Sequence, residues 1–99
     1  MALPALSPPL LVLASLADGP KHGYAMIEDI KEMTSVTLGA GTLYGAIARL
    51  EESGLIQPLR ASDRRQPYRI TAAGSRELRT SVEAMSSFAG AALRKLETL

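Results

Sequence analysis

The chain has no cysteine and no tryptophan, and only one histidine and one phenylalanine. Without cysteine there is no disulfide framework, no thiol nucleophile and no zinc–thiolate site. The composition also suits a reducing compartment. A single imidazole, His22, cannot hold a metal without carboxylate help, so no metal or cofactor is expected. Long apolar runs are missing too. The longest, Leu10 to Ala14, is five residues, where a bilayer span needs about 20. The first ten residues lack the basic cluster of a secretory signal. Neither sign of charge dominates: 11 basic against 10 acidic residues leave a net charge of +1, with a pI near 8.1. A nucleic-acid-binding domain usually has a pI above about 9, so any such case must rest on where the charges sit. No Ser–His–Asp set and no glycine-rich phosphate loop is evident, so an enzyme is not expected.

What is present is 99 residues, 46% of them hydrophobic. That is enough for one small domain with a thin core, which a partner subunit would help to stabilise. Ser7-Pro8-Pro9 reads as a helix start, with Ser as cap and Pro tolerated in the first turn. Leu10 to Ala17 follows with Ser15 as its one polar residue, a pattern that demands burial on several sides. Asp18-Gly19-Pro20 stops it. Met26, Ile27, Ile30 and Met33 recur at helical spacing and predict a second helix from about His22 to Met33. A third is predicted from about Ala40 to Ser53, ended by Gly54. Leu55 to Arg60 and Gln66 to Ile70 read as two short strands. Pro58 and Pro67 would confine both to edges, as a two-stranded ribbon allows. Thr71 can cap a last helix reaching close to Leu99.

Helix two, a short turn and helix three have the proportions of a helix-turn-helix, and the hairpin adds a wing. The pattern fits either a DNA reader or a generic three-helix domain. The hairpin carries Arg60, Arg64, Arg65 and Arg69 against one acid, Asp63, while the rest of the chain is acidic on balance. Arginines there would either solvate a loop or bind phosphate; their place directly after a candidate recognition helix favours phosphate.

On helix three, Leu43, Ala46, Ile47 and Leu50 fall in one arc of about 100°. The opposite side holds Gly41, Gly45, Ala48 and Glu52, with Thr42 and Arg49 at one edge and Tyr44 at the other. Gly45 inside a helix costs roughly 0.5–1 kcal/mol relative to Ala. Such a bare face admits a groove wall, or the glycine is merely tolerated. Thr42, Tyr44 and Arg49 are the side chains left to read bases, unless Arg49 pairs with Glu52 or Asp29. Lys21 would touch phosphate or water. In the last helix, Leu78, Val82, Met85, Ala89, Ala92, Leu96 and Leu99 are spaced alternately by four and three. That heptad seam suits packing along another helix. Leu10 and Leu13 of the first helix are its expected companions at a subunit interface.

Three separated motifs then resemble the PadR family of transcription regulators. They are Leu13-Ala14-Ser15-Leu16 with Gly19-Pro20-Lys21-His22-Gly23-Tyr24, Gly41-Thr42-Leu43-Tyr44 with Leu50-Glu51 and Gly54-Leu55-Ile56, and Tyr68-Arg69-Ile70-Thr71-Ala72-Ala73-Gly74. The resemblance covers about residues 7 to 75, and its single terminal helix is similar to the smaller subfamily. It implies a winged-helix dimer, usually a repressor, on an operator of inverted symmetry. It implies that Tyr24, Thr42 and Tyr44 lie at or near the DNA, with Arg64 and Arg65 as wing arginines. Three positions depart from the pattern: Gly39-Ala40 replace Ser-Pro, Gly45 replaces Pro, and Pro67 stands where an aromatic is common. Thr37 would then cap the third helix from further back. Relatives that hold flat aromatics between tryptophans offer no guide to a chain without Trp.

The expected fold is mostly α with a small β-hairpin. Residues 1–71 form a winged helix-turn-helix and residues 72–99 a dimerisation helix. The expected function is a cytoplasmic, sequence-specific DNA-binding regulator, acting as a homodimeric repressor on double-stranded DNA. The expected DNA-facing set is Lys21, Tyr24, Thr37, Gly41, Thr42, Tyr44, Arg49, Arg64 and Arg65. An effector at the dimer interface would act by changing the spacing of the reading heads. The alternative is a winged-helix protein-interaction module without DNA binding, suggested by the near-neutral charge and by Glu28, Asp29 and Glu32.

Overall fold

A computed structural model describes residues 6–98. The elements run α1 (Pro8–Leu16), β1 (Lys21–His22), α2 (Gly23–Thr34), α3 (Ala40–Glu52), β2 (Ile56–Pro58), β3 (Pro67–Ile70) and α4 (Ala72–Glu97). The predicted helices are all present, and Leu99, the last seam residue, lies outside the described residues.

Helix α1 begins as its sequence demands. The Ser7 hydroxyl accepts from the Leu10 N–H at 3.4 Å, and Pro8 and Pro9 occupy the first turn, where no N–H donor is needed. Its apolar circumference is satisfied within the subunit. Leu11, Val12, Leu13 and Leu16 are buried among side chains of α2, α3 and the sheet. Leu13, expected at a subunit interface, is therefore a core residue of its own chain, 3% exposed. Leu10 is half-buried. A central helix touched by α2, α3, α4 and β3 has no face left over for a partner at position 13.

Helix α3 buries the predicted stripe of Leu43, Ala46, Ile47 and Leu50. It ends in a Schellman motif. Gly54 takes φ +75°, its N–H donates to Glu51 O at 3.0 Å, and the Leu55 N–H reaches back to Leu50 O at 2.9 Å. This turn aims the chain into β2, whose Ile56 is buried.

The sheet has three strands, not two, in the order β1-β3-β2. Lys21 and His22 pair with Tyr68 and Pro67, a run too short to show alternation in sequence. Strand β3 is thus central, and Pro67 sits inside the sheet at the strand's first residue, contrary to the edge position expected of it. Gln66 makes this tolerable. Its side-chain Nε2 donates to Leu59 O at 2.7 Å, the acceptor that a proline N–H cannot serve, while Leu59 N donates to Pro67 O at 2.9 Å.

Helix α4 is joined rigidly to this body. The Thr71 hydroxyl accepts from Gly74 N at 3.0 Å and donates to Gly54 O at 2.7 Å, and Thr71 N donates to Leu55 O at 3.0 Å. One residue therefore ties the end of α3, the start of β2 and the start of α4. Gly74 is buried in the junction, where a Cβ would fall on the Leu55 carbonyl. From there α4 runs about 39 Å at 1.5 Å per residue, giving the molecule its 55 Å length against 27 and 20 Å.

Gly74→Ala should destabilise the fold by about 1–3 kcal/mol, since backbone must move to admit the methyl. Gly45→Ala, where a Cβ meets open space, should stabilise it by about 0.5–1 kcal/mol. Urea unfolding of both variants checks the pair; a neutral Gly74→Ala would show that the junction is loose.

Candidate nucleic-acid interface

The outward face of α3 is exposed and nearly bare. Gly41, Thr42, Gly45, Ala48 and Arg49 are all exposed, and a Cβ at Gly41 or Gly45 would meet nothing within 4 Å. Arg49 makes no ion pair among the described residues; the pairing with Glu52 or Asp29 that the sequence left open is not formed. The helix starts at Gly39 with no side-chain cap, so its first N–H groups keep their positive end free for an outside acceptor. Thr37, expected to cap it, lies exposed in the preceding loop. Gly39, two residues on, takes the extended cap conformation at φ −74° and ψ 157°.

Beside this face lies a cleft lined by His22, Gly23, Tyr24, Tyr44, Arg64, Arg65 and Gln66. It gathers residues from β1, α2, α3 and the wing. Of the sequence-predicted set it brings together Tyr24, Tyr44, Arg64 and Arg65. Tyr24 and Tyr44 are 69% and 52% exposed, far more than a phenol ring held for packing alone. Gly23 explains how the two helices meet here, because a Cβ at this position would collide with the Tyr44 hydroxyl and lie 2.9 Å from Cζ. The start of α2 also lacks a side-chain cap and any acid in its first turn.

The wing tip is a two-residue hairpin. Ser62 and Arg65 exchange both backbone bonds, Ser62 N to Arg65 O at 3.1 Å and Arg65 N to Ser62 O at 2.8 Å. Asp63 and Arg64 between them take φ +50° and +64°. This is the geometry of a type I′ turn, normally filled by Asn-Gly. Asp tolerates it; a long side chain such as Arg does not do so for free. Arg65 Nη1 donates to His22 Nε2 at 3.4 Å, which fastens the wing to β1. Arg69 lies elsewhere, in a cleft with Leu16, Ala17, Gly19, Pro20 and Ile70. Tyr68, on the central strand, is pushed up in pKa first by burial and then by the nearby Glu51 carboxylate.

One further residue stands differently from expectation. Lys21 is not at the cleft. Its ammonium is engaged by the Ser15 carbonyl and the Asp18 carboxylate, which holds Asp18 below the usual carboxylate range through hydrogen bond and charge. His22, the residue that opens α2, is also a cleft wall and the acceptor for Arg65. Its proximity to Arg65 spans 43 positions and has no local signal.

Comparisons with known proteins fit this geometry. Residues 12–80 match the family of PadR-like transcriptional regulators. The chain is 43% identical over 81 residues to an uncharacterised 37.1 kDa protein in transposon TN4556 of Streptomyces fradiae, covering 82% of this chain and 24% of that protein. It thus spans about a quarter of the length of that relative. A transcriptional regulator from Clostridium thermocellum superposes with a TM-score of 0.77 at 28% identity, over 88% of this chain and 87% of that one. A PadR family transcription regulator from Clostridium difficile shares the fold, with a TM-score of 0.81 at 21% identity over 92% and 99% of the two chains.

Arg64→Gly should relieve the left-handed strain and stabilise the free protein by about 0.5–1 kcal/mol, while weakening any phosphate-dependent binding. Urea unfolding and duplex titration on the same sample read both effects. A variant that is less stable than wild type would contradict the strained-turn account.

Proposed function

Because the chain belongs to the PadR-like family of transcriptional regulators, we propose that it is a sequence-specific, DNA-binding repressor that acts as a homodimer on an inverted-repeat operator. The observation that carries this reading is the cleft that sets Tyr24, Tyr44, Arg64 and Arg65 beside the bare face of α3. In the proposed complex α3 enters the major groove. Gly41 and Gly45 allow close approach, and Thr42 and Arg49 reach base edges or the nearest backbone. The wing arginines and the uncapped starts of α2 and α3 take phosphate oxygens, the arginines in bidentate fashion. With so few reading side chains, much of the specificity comes from phosphate placement and DNA shape. A cytoplasmic location is part of the same reading, since a DNA ligand suits it.

The dimer reading rests on α4. Its seam residues Val82, Met85 and Leu96 are exposed at 42%, 40% and 63%, and the flanking Phe88 and Leu93 at 75% and 58%. A run of large apolar side chains this open marks a contact surface. Ala89 and Ala92 let a second helix approach closely, and Leu78 anchors the seam to the core of its own subunit. Two copies joined along α4 would hold two α3 helices at the spacing of successive major grooves, about 34 Å or a multiple of it. An effector lodged in this seam of Met and Ala would repack it and so shift the spacing of the heads.

Salt titration tests the first claim. Binding to duplex DNA selected from a random pool should weaken with a log–log slope near −0.9 per phosphate contact. Arg64→Ala and Arg65→Ala should each flatten it by about that amount. Salt-independent capture of a protein partner, with no duplex selected, would favour an interaction module built on the exposed acids Glu28 and Glu32 of α2. The second claim is tested by Met85→Glu. Sedimentation should show a single subunit, and duplex affinity should fall by at least about tenfold as the second head is lost. A dimer that survives this change would place the interface elsewhere.

A further inference from the structure

The Lys21 side chain closes a polar circuit under the cleft. Its Nζ donates to the Ser15 carbonyl and to the Asp18 carboxylate, and Asp29 Oδ2 lies 3.8 Å away. Asp29 Oδ2 also accepts from Ser15 Oγ at 2.7 Å. Ser15, on α1, is fully buried at 0% exposure, so its hydroxyl needs this partner. The side chains of Lys21 and Asp29 are only 19% and 29% exposed. Two acceptors and one ion-pair partner thus surround one ammonium. Turning Lys21 outward would strip the half-buried Asp29 carboxylate of its counter-charge.

Lys21 also heads β1. It pairs with Tyr68 on the central strand, and the next residue, His22, pairs with Pro67 and accepts from Arg65. The two residues after that, Gly23 and Tyr24, line the cleft. One cation therefore ties the end of α1 and the middle of α2 to β1, the strand that Arg65 of the wing reaches through His22. We propose that Lys21 is a positioning residue for the nucleic-acid face: it sets where Tyr24, His22 and Arg65 stand and does not itself touch nucleic acid. The proposal rests on the reading of that cleft as a duplex-binding face.

The test compares Lys21→Met, Asp29→Asn and the double variant, each well below its unfolding temperature, on duplex DNA selected from a random pool by the wild-type chain. Lys21→Met should lose about tenfold in affinity at every salt concentration with the salt slope unchanged. The double variant should be no weaker than Lys21→Met alone. In the free protein, the amides of the β1–β3 pair should exchange faster. A slope flattened by about 0.9 would show that Lys21 contacts phosphate, and would overturn the proposal. Unchanged affinity in folded Lys21→Met would overturn it as well, and so would unchanged amide exchange. If Lys21→Met fails to fold, Ser15→Ala removes one hydroxyl and keeps the ion pairs; a smaller affinity loss with an unaltered slope is then expected, and no loss counts against the proposal. Should the wild-type chain select no duplex, the proposed function fails, and amide exchange alone decides whether Lys21 holds β1 in place.

Discussion

The structure depends on enclosing α1. Its side chains Leu11, Val12, Leu13 and Leu16 are each at most 3% exposed, and each contributes about 1.5–3 kcal/mol when fully buried. In a chain this small, no other set of residues offers so much apolar area so cheaply to so many neighbours. Everything that touches α1 is positioned by that burial: the stripe of α3, Met26 and Ile30 of α2, and Leu78 at the base of α4. The same enclosure also creates a cost. Ser15 is carried into the interior with the helix, and its hydroxyl must find an acceptor. Asp29 supplies one, and a half-buried carboxylate then calls for a cation, which Lys21 supplies. A short polar chain on the inner side of the fold thus follows from an apolar helix that contains one serine.

The candidate interface has the opposite character. Where the core follows local rules, this face breaks them. Glycine sits within α3, two helix starts go without side-chain caps, and a non-glycine pair fills a turn built for Asn-Gly. Each departure weakens the free protein a little. Each also leaves something useful to a phosphate-rich partner: room for a groove wall, unpaired N–H groups, or an arginine held at the tip of the wing. Local inconsistency gathered on one surface is what a binding face is expected to show. The Tyr44–Gly23 contact belongs to the same surface, since glycine there lets the phenol lie against the backbone at the start of α2.

How much of this the sequence disclosed follows from the range of each interaction. The α3 stripe, the Thr71 cap, the Gly54 stop and the α4 seam are local periodicities or caps, and they stand where spacing puts them. The cleft's two tyrosines and two arginines were legible through the family motifs, being scattered in sequence. What stayed hidden is tertiary. Strand β1 is two residues long and exists only because β3 lies beside it. Pro67 occupies a central strand because Gln66, its neighbour, reaches round to the acceptor it cannot serve. Leu13 differs from Leu10 in burial because of how α2 and α3 wrap the helix, which an all-apolar run cannot encode. Lys21 looked like a surface cation because its two acceptors and its ion-pair partner lie three to eight residues away on separate segments.

The junction at Thr71 decides how α4 can influence the reading head. Three hydrogen bonds through Thr71 and the close approach at Gly74 leave no hinge between helix and wing. A change in how α4 packs must then appear at the head as rigid rotation, because bending at the junction would break the cap and drive Gly74 into the Leu55 carbonyl. The helix is long relative to the head. Over its length of about 39 Å, a tilt of about 5° moves the far end by roughly 3 Å. In the proposed dimer such a displacement is about one base-pair step for each head, enough to carry α3 out of register with a second groove. In that dimer the bare face of α3 would offer few base contacts that could hold the register by themselves. In the proposed dimer, affinity would therefore be governed more by the distance between two heads than by any single side chain, and that distance would be set by packing along the seam of Met85, Ala89 and Ala92.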